Sequence, residues 1–225
     1  MEQVISKLDT SKIEKFKTYY EFLINENKLY NLTSITDIDE VYVKHFYDSY
    51  ILLDYLNLDN LEICDIGSGA GFPGIPLKIM NDSIKLTIIE PTQKRINFLK
   101  ELCSKLGIND VVFINDRAEA AIINNREKYD YVVVRAVSNL PVLLELTIPY
   151  LKVGGKLIAY KGKNYLEEVE LAKNALKTLK SKVSNVYEYS LLNGYGERAL
   201  VEIEKLEKTS QLYPRQYAKI KNKPL

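Results

Sequence analysis

DIGSGAGFPG, residues 65–74, places four of the chain's ten glycines in one short stretch, directly after the apolar residues Ile63, Cys64 and Ile66. Glycine lets a backbone turn sharply and come close to a ligand, because no Cβ stands in the way. Doubly wound sheets bind nucleotide-like ligands at such a turn, between the first parallel strand and the next helix. The stretch therefore predicts an α/β domain whose ligand site includes this turn.

The sequence after residue 61 alternates between two patterns. Short runs rich in β-branched residues are each followed by a helical pattern, five times in succession, as in LEICDI then IPLKIM, and KLTIIE then QKRINFLKELCSKL. Repeated strand–helix units are typical of a parallel sheet covered by helices on both faces. Two final alternating runs, NVYEYSLL and RALVEIEK, are joined by NGYGE and predict a closing antiparallel pair. We therefore predict a Rossmann-like fold with a mostly parallel seven-stranded sheet and an antiparallel last strand.

The first sixty residues have a helical pattern. Ser11 and Glu14 match a capping box, and apolar residues follow at helical spacing from Ile13 to Leu23. A polar break, NLTSITD, precedes a second helical stretch from Ile38 to about Leu56. We predict three parts: a helical cap (1–60), the Rossmann-like domain (61–205) and a C-terminal tail (206–225).

Composition limits the class of protein. The chain has 225 residues, 46% of them apolar and 27% charged, as in ordinary globular proteins. No apolar run is long enough for a membrane span, and MEQVISKLDTSK does not resemble a signal peptide. The two distant cysteines favour reduced thiols in a reducing compartment. We expect a cytoplasmic monomer with no membrane contact, and we predict no metal site.

The tail differs in charge from the rest of the chain. KTSQLYPRQYAKIKNKPL carries five basic residues and no acidic one, whereas the preceding residues have a net charge of −4. A basic segment with interleaved tyrosines suits a polyanion such as RNA. It also suits a solvated terminal segment, and the sequence leaves both interpretations open.

The spacing of the glycines distinguishes two ligand classes. A dinucleotide site has the pattern G-x-G-x-x-G, but here Phe72 stands where the third glycine would be, and Pro73 follows. S-adenosylmethionine carries no phosphate, and an acidic residue ending the second strand would bind its ribose hydroxyls. Glu90 ends KLTIIE and fits that position. The pattern favours S-adenosylmethionine, although Glu90 alone could be a surface acid and the turn alone could be structural.

Several segments together resemble one family. They are DIGSGAGFPGIPLKI, NLTSITDIDEVYVKHFYDSY, PTQKRINFLKELCSKLGI, DRAEA, VVVRAVSNLPVLLELTIPYLKVGGKLIAYKG and YPR…NKPL. In order and spacing they are similar to the glucose-inhibited division protein B family, the bacterial 16S rRNA guanine-N7 methyltransferases. The resemblance runs from about residue 20 to the C-terminus, and QYAKIK departs from the Pro/Gly-richer stretch usual after YPR. It implies a class I S-adenosylmethionine-dependent methyltransferase fold.

The resemblance also implies roles for individual residues. Gly67 and Phe72 match residues of the turn that contact the cofactor, and Gly69 lies in the same turn. Ala118 and Glu119 match a pair beside the adenine. Arg135, which ends the fourth strand, matches a further residue of the cofactor pocket. A charged side chain at the mouth of a buried strand is costly unless it is paired or functional, so an internal ion pair is the alternative for Arg135.

The proposed reaction makes few demands on side chains. Guanine N7 has a free lone pair and no proton to lose, so positioning and electrostatics should suffice. Methylation at pyrimidine C5 commonly uses a cysteine after proline, and amino methylation commonly uses a Pro-Pro loop; the sequence has neither. Methylation of a ribose 2′-hydroxyl requires a lysine-centred tetrad that deprotonates the hydroxyl. A tetrad containing Lys161 and Glu197 is disfavoured but stays open.

Other polar residues have two interpretations each. His45 is the only histidine; it and Arg135 are candidates for substrate positioning, but pairing of His45 with Asp48 would be structural. Asn31 and Thr33 favour helix capping over a place on the substrate rim. Basic residues expected near the active face could contact RNA phosphates or simply be solvated, namely Lys94, Arg95, Lys161, Lys163 and, in the tail, Arg215.

We therefore expect methylation of guanine 527 at N7, in the 530 loop of 16S rRNA, with naked RNA or a small-subunit precursor as partner. A methyltransferase for a small molecule or protein is a rival that the basic tail disfavours. A non-catalytic RNA-binding or ribosome-assembly protein is a second rival, which failure to bind S-adenosylmethionine would support. A dinucleotide-dependent oxidoreductase is a third, and the missing glycine disfavours it.

Overall fold

One seven-stranded sheet lies at the centre of the computed structural model, which describes residues 1–6 and 8–225. The strand order is β3-β2-β1-β4-β5-β7-β6. Strands β1 to β5 pair in parallel, whereas β7 is antiparallel to both β5 and β6. The strands are β1 (Glu62–Ile66), β2 (Lys85–Ile89), β3 (Val112–Ile114), β4 (Tyr129–Arg135), β5 (Leu151–Gly162), β6 (Ser181–Ser190) and β7 (Glu197–Lys205). The predicted mostly parallel sheet with an antiparallel last strand is confirmed, and that strand lies between β5 and β6.

Helices cover both faces of the sheet. The helices are α1 (Glu2–Ile5), α2 (Thr10–Tyr30), α3 (Ile38–Val41), α4 (Asp48–Tyr50), α5 (Gly74–Met80), α6 (Gln93–Leu106), α7 (Ala118–Ala121), α8 (Leu140–Thr147), α9 (Tyr165–Leu171), α10 (Lys173–Thr178) and α11 (Tyr217–Asn222). Successive strand residues point to opposite faces, so Ile63 and Val133 pack under the N-terminal helices, α5 and α6, while Cys64 and Val132 pack under α8 and α10. Within residues 1–6 and 8–225, no helix has both the length and the apolar character that a membrane crossing requires.

Helix α2 begins one residue before the predicted cap. Asp9 is the N-cap, and its carboxylate accepts the backbone N–H of Lys12 at 2.9 Å. The predicted capping box of Ser11 and Glu14 is therefore wrong, since both residues lie inside the helix that Asp9 begins. The apolar face predicted for this helix is present, because Phe16 and Leu23 are fully buried.

The second helical stretch is interrupted by a different helical geometry. It runs from α3 through a π-helix, Tyr42–Tyr47, into α4 and a 3₁₀ turn, Ile51–Asp54. A π-helix inserts an extra residue per turn and is often found at functional sites. His45 lies within it.

The N-terminal helices and the sheet domain share one hydrophobic core. Phe22 of α2 stacks on Phe98 of α6 with ring centroids 5.2 Å apart, and Tyr19 stacks on Phe72 at 5.4 Å. The Tyr19 hydroxyl also donates to the carbonyl of Ala70. Division into a cap, a domain and a tail stays a prediction; the proposed cap includes Lys7, which lies outside the described residues.

Candidate functional site

The glycine turn joins β1 to α5 in a backbone conformation that favours glycine. The φ angles of Gly67, Gly69 and Gly71 are +75°, +60° and +105°. At Gly67 an added Cβ would lie 2.7 Å from the Cγ2 atom of Val137, whereas at Gly69 it would meet nothing within 4 Å. Gly67 is thus required both for its conformation and for the close approach of the loop after β4.

The amide groups of the four glycines in this turn are already bonded within the protein. The acceptors are the carbonyl of Ile89 for Gly67, the carboxylate of Glu90 for Gly69, the carbonyl of Ser68 for Gly71, and the carboxylate of Asp65 for Gly74. A phosphate cradle needs several free N–H groups that point at one anion. With the four glycine amides occupied, the turn is poorly suited to the phosphates of a dinucleotide.

Glu90 lies at the end of β2, as its position in the sequence predicted. Its side chain is 1% exposed. One carboxylate oxygen accepts the Gly69 N–H at 3.1 Å, and the other accepts the Thr92 N–H at 3.1 Å and lies 3.4 Å from a guanidinium nitrogen of Arg95. Glu90 thus connects the glycine turn to the start of α6, and its contact with a ribose stays a prediction.

A cavity of about 290 Å³ opens beside the turn, and we call it the turn cavity. Its lining includes Gly67, Glu90, Arg117, Ala118, Glu119 and Tyr217. The structure thus brings together four of the residues predicted to bind a cofactor, although they follow three different strands. Phe72, Gly69 and Arg135 do not line this cavity.

A second cavity, of about 600 Å³, adjoins the first, and we call it the wide cavity. Its lining includes Lys44, His45, Asp48, Arg135, Lys161 and Arg198. Ala136 and Val137, directly after β4, line both cavities. The two cavities, each lined by both acidic and basic side chains, therefore meet at a single loop.

Arg135 organises the floor of the wide cavity. One guanidinium nitrogen donates to a carboxylate oxygen of Asp48 at 3.1 Å and to the carbonyl of Lys44 at 2.9 Å. The other lies 3.2 Å from Nδ1 of His45, and the guanidinium stands 4.8 Å above the ring of Phe72. The ion pair considered for Arg135 is present, and the same side chain faces the cavity.

His45 is neutral and held on both ring nitrogens. Arginine can only donate, so Nδ1 accepts from Arg135 and Nε2 carries the proton, which it donates to the Thr33 hydroxyl at 2.8 Å. Burial, aided by the charge of Arg135, lowers the pKa of His45 to about 3. The ring also stacks on Phe72 at 4.6 Å.

The predicted pairing of His45 with Asp48 is wrong. Asp48 instead binds Arg135 and accepts the hydroxyl of Tyr189 at 2.7 Å. These partners come from β4 and β6, more than eighty residues away, so local spacing could not reveal them. Thr33 also departs from simple capping, since its hydroxyl connects His45 to the N–H of Ile35.

The basic residues predicted to contact RNA fall into two groups. Lys94 and Lys163 are exposed, whereas the guanidinium of Arg95 lies 3.4 Å from the carboxylate of Glu90. Lys161 is 8% exposed and binds Glu168 at 2.6 Å. Glu197 bonds Ser190 instead, so the structure does not assemble a tetrad from Lys161 and Glu197.

Arg215 is committed to another partner. Its guanidinium binds the carboxylate of Glu145, which is fully buried in α8. RNA contact by Arg215 stays a prediction, although Glu145 already occupies its guanidinium.

Sequence reasoning did not identify several residues of the site. Lys44 and Arg198 line the wide cavity, and Tyr217 lines the turn cavity. Lys44 lies one residue before His45, a signal that was available. Arg198 and Tyr217 reach the site through the order of strands in the sheet and the path of the tail, neither of which leaves a local pattern.

The chain is similar to proteins of one family of rRNA methyltransferases. The family model described as GidB, rRNA small subunit methyltransferase G, matches residues 12–216. The chain is 46% identical over 222 residues to a ribosomal RNA small subunit methyltransferase G of Streptococcus pneumoniae, covering 97% of this chain and 93% of the relative. It is 44% identical to a protein of the same name from Staphylococcus haemolyticus, covering 97% and 92%.

Solved structures share the fold at low sequence identity. M. jannaschii TYW2 in complex with AdoMet has a TM-score of 0.57 and 16% identity, covering 72% of this chain and 76% of that one. A SAM-dependent methyltransferase from Aquifex aeolicus has a TM-score of 0.57 and 20% identity, covering 75% and 94%. The predicted Rossmann-like class I methyltransferase fold is confirmed.

Proposed function

This chain belongs to the GidB family, rRNA small subunit methyltransferase G, and from that membership we propose that it transfers a methyl group from S-adenosylmethionine to N7 of guanine 527 in 16S rRNA. The two adjoining cavities are the observation on which we base the proposal. The turn cavity would hold the cofactor and the wide cavity the base, with Ala136 and Val137 between them. We further propose that the protein acts as a monomer in the cytoplasm.

The residues of the turn cavity fit S-adenosylmethionine. Glu90 and Glu119 offer carboxylates to hydroxyl and amino groups, and Gly67 places the backbone of the turn in the wall of the same cavity. The internally bonded glycine amides disfavour a phosphate site there, and S-adenosylmethionine, which carries no phosphate, does not need one. When bound, the cofactor supplies an electrophilic sulfonium methyl group.

The side chains of the wide cavity suit a nucleophile that loses no proton. His45 is held on both nitrogens, and Asp48 is paired with Arg135. Neither group is free to act as a general base, and N7 needs none. We assign Arg135 and His45 to positioning: His45 orients Arg135 through Nδ1, and Arg135 braces the cavity floor on which the base would rest.

Other methylation chemistries lack support in the structure. Cys64 and Cys103 are buried, and burial raises the pKa of both thiols, so neither is suited to attack a pyrimidine ring. Lys161 is neutralised by Glu168 rather than placed in a tetrad with Glu197. These features favour N7 over pyrimidine carbon and ribose hydroxyl.

We propose that exposed lysines near the two cavities contact the RNA backbone. Lys163 follows β5 at the cavity, and Lys94 is exposed at the start of α6. Phosphate contacts position a protein on RNA without reading its sequence. Substrate choice would then depend on the shape of the wide cavity and on the loop that presents the guanine.

Mapping of N7-methylguanosine in 16S rRNA tests the proposal. Borohydride–aniline cleavage of rRNA from cells with and without the gene should reveal one cleavage in the 530 loop that disappears in the deletion. The intact gene and the control Gly107→Asn should restore it, since Gly107 has a φ of +67° with nothing within 4 Å. Gly67→Asp should not. An unchanged pattern in the deletion would refute N7 methylation of this rRNA.

A further inference from the structure

The C-terminal tail contributes a wall of the turn cavity. Tyr217, the first residue of α11, lines that cavity together with Ala118, Glu119 and Leu146. Of the described residues that line it, Tyr217 is the one aromatic side chain. The tail and the glycine turn therefore line the same cavity.

A buried ion pair fixes the tail immediately before Tyr217. The guanidinium of Arg215 binds both carboxylate oxygens of Glu145, at 2.8 and 2.6 Å, and the Arg215 backbone N–H donates to the same carboxylate at 2.8 Å. Glu145 is 0% exposed. A buried carboxylate without its partner is costly, so Glu145 strongly favours the docked position of the tail.

An apolar contact fixes the tail on the other side of Tyr217. Ile220 is fully buried against Val142 and Leu146 of α8, and Tyr217 and Ala118 pack against the same cluster. Leu146 contacts the tail on one side and lines the turn cavity on the other. The position of Tyr217 is therefore fixed by Arg215 before it in the sequence and by Ile220 after it.

Tyr217 also meets the loop after β3. The guanidinium of Arg117 lies 5.5 Å from the centre of the Tyr217 ring, and Arg117 lines the same cavity. Ala118 and Glu119 follow directly in sequence. The aromatic ring thus lies where the loop after β3 and helix α8 line the turn cavity. The glycine turn forms another part of the wall of the same cavity.

We propose that residues 206–225 are a working part of the cofactor pocket, with the ring of Tyr217 packed against the adenine of S-adenosylmethionine. Adenine is a flat aromatic group, and a tyrosine face is the surface in this cavity best suited to it. The inference rests on the proposed function, because it takes S-adenosylmethionine as the ligand. It gives the basic tail a role in cofactor binding, which neither RNA contact nor solubility alone would require.

The proposal has a reciprocal consequence. If the docked tail strengthens cofactor binding, bound cofactor must stabilise the docked tail by the same factor. Lys219 and Lys221 are exposed on α11 and are sites for trypsin. Saturating S-adenosylmethionine should therefore slow cleavage at these residues in the full chain.

Calorimetric titration of purified full-length protein tests the contact with adenine. Tyr217→Ala should raise the dissociation constants of S-adenosylmethionine and of adenosine by a similar factor, about tenfold. Tyr217→Phe keeps the ring and should stay within about twofold of the wild type. Tyr30→Ala, at an exposed tyrosine of α2, controls for loss of a surface ring.

Trypsin cleavage with and without S-adenosylmethionine supplies the second measurement, and it does not depend on how well Tyr217→Ala folds. Cleavage after Lys219 that is equally fast with saturating cofactor would overturn the proposal. So would a Tyr217→Ala variant that binds S-adenosylmethionine as tightly as the wild type. Failure of the wild type to bind S-adenosylmethionine at all would instead refute the proposed function, so the two failures are distinguishable.

Discussion

Replacement of Gly67 by alanine should be far more costly than the same replacement at Gly69. Both residues have positive φ, so both variants carry the strain of a left-handed backbone, about 1–2 kcal/mol. Only at Gly67 does the new methyl group overlap another atom, Cγ2 of Val137 at 2.7 Å. Overpacking of this kind adds about 1–3 kcal/mol. We therefore expect Gly67→Ala to lose about 2–5 kcal/mol of unfolding free energy and Gly69→Ala about 1–2.

Urea denaturation of both variants, with calorimetric titration of S-adenosylmethionine, measures the two effects. Val137 is 39% exposed, so Val137→Ala should itself cost little. In the double variant Gly67→Ala/Val137→Ala the overlap disappears, and the steric part of the loss should return as a favourable coupling energy. Because Val137 lines both cavities, cofactor affinity should fall in Gly67→Ala and recover in the double variant. Equal losses for Gly67→Ala and Gly69→Ala, or no recovery in the double variant, would refute the reasoning.

Two further predictions concern buried charges. Folding lowers the pKa of His45 from 6.5 to about 3, so between these values the unfolded chain binds more protons and stability decreases as the pH is lowered. Relative to His45→Asn, the wild type should therefore lose about 2 kcal/mol between pH 7.5 and pH 5 in urea titrations; a constant difference would contradict this. Burial raises the pKa of Asp65 to about 7, which gives the opposite slope, but Asp65 is present in both proteins and cancels. Arg215→Met should cost about 3–5 kcal/mol by leaving Glu145 unpaired, and Arg215→Met/Glu145→Met should recover most of it; a double variant as unstable as the single one would argue against the ion pair.

The alternating architecture was predictable because its signals are local. Short β-branched runs and amphipathic helices repeat along the chain, and burial on two faces of a sheet requires that pattern. The glycine turn and the acidic end of β2 were predictable for the same reason, since a turn and a strand end are each set by neighbouring residues. The cavity that joins Gly67, Glu90 and Glu119 then follows from parallel strands, whose carboxyl ends meet at one edge.

Interactions between distant residues were not predictable. Pairing of His45 with Asp48, three residues away, is one of the two interpretations that the sequence allows, but Arg135 enters from β4 and binds both residues. The tail was judged from its charge, yet one of its arginines serves a carboxylate inside α8. The single acid in the apolar segment LPVLLELTIPYL was a signal that a partner must exist, but nothing in the sequence identified Arg215 as that partner.

The place of β7 between β5 and β6 determines when the sheet can be completed during translation. Until residues 197–205 have left the ribosome, β5 has an unpaired edge, and β6 has no neighbouring strand to join. Tyr217, which lines the same cavity as Gly67, emerges later still, as do Arg215 and Ile220, which hold the tail in place. A nascent chain thus carries an incomplete pocket for most of its synthesis, because the wall that Tyr217 forms is among the last parts to be made.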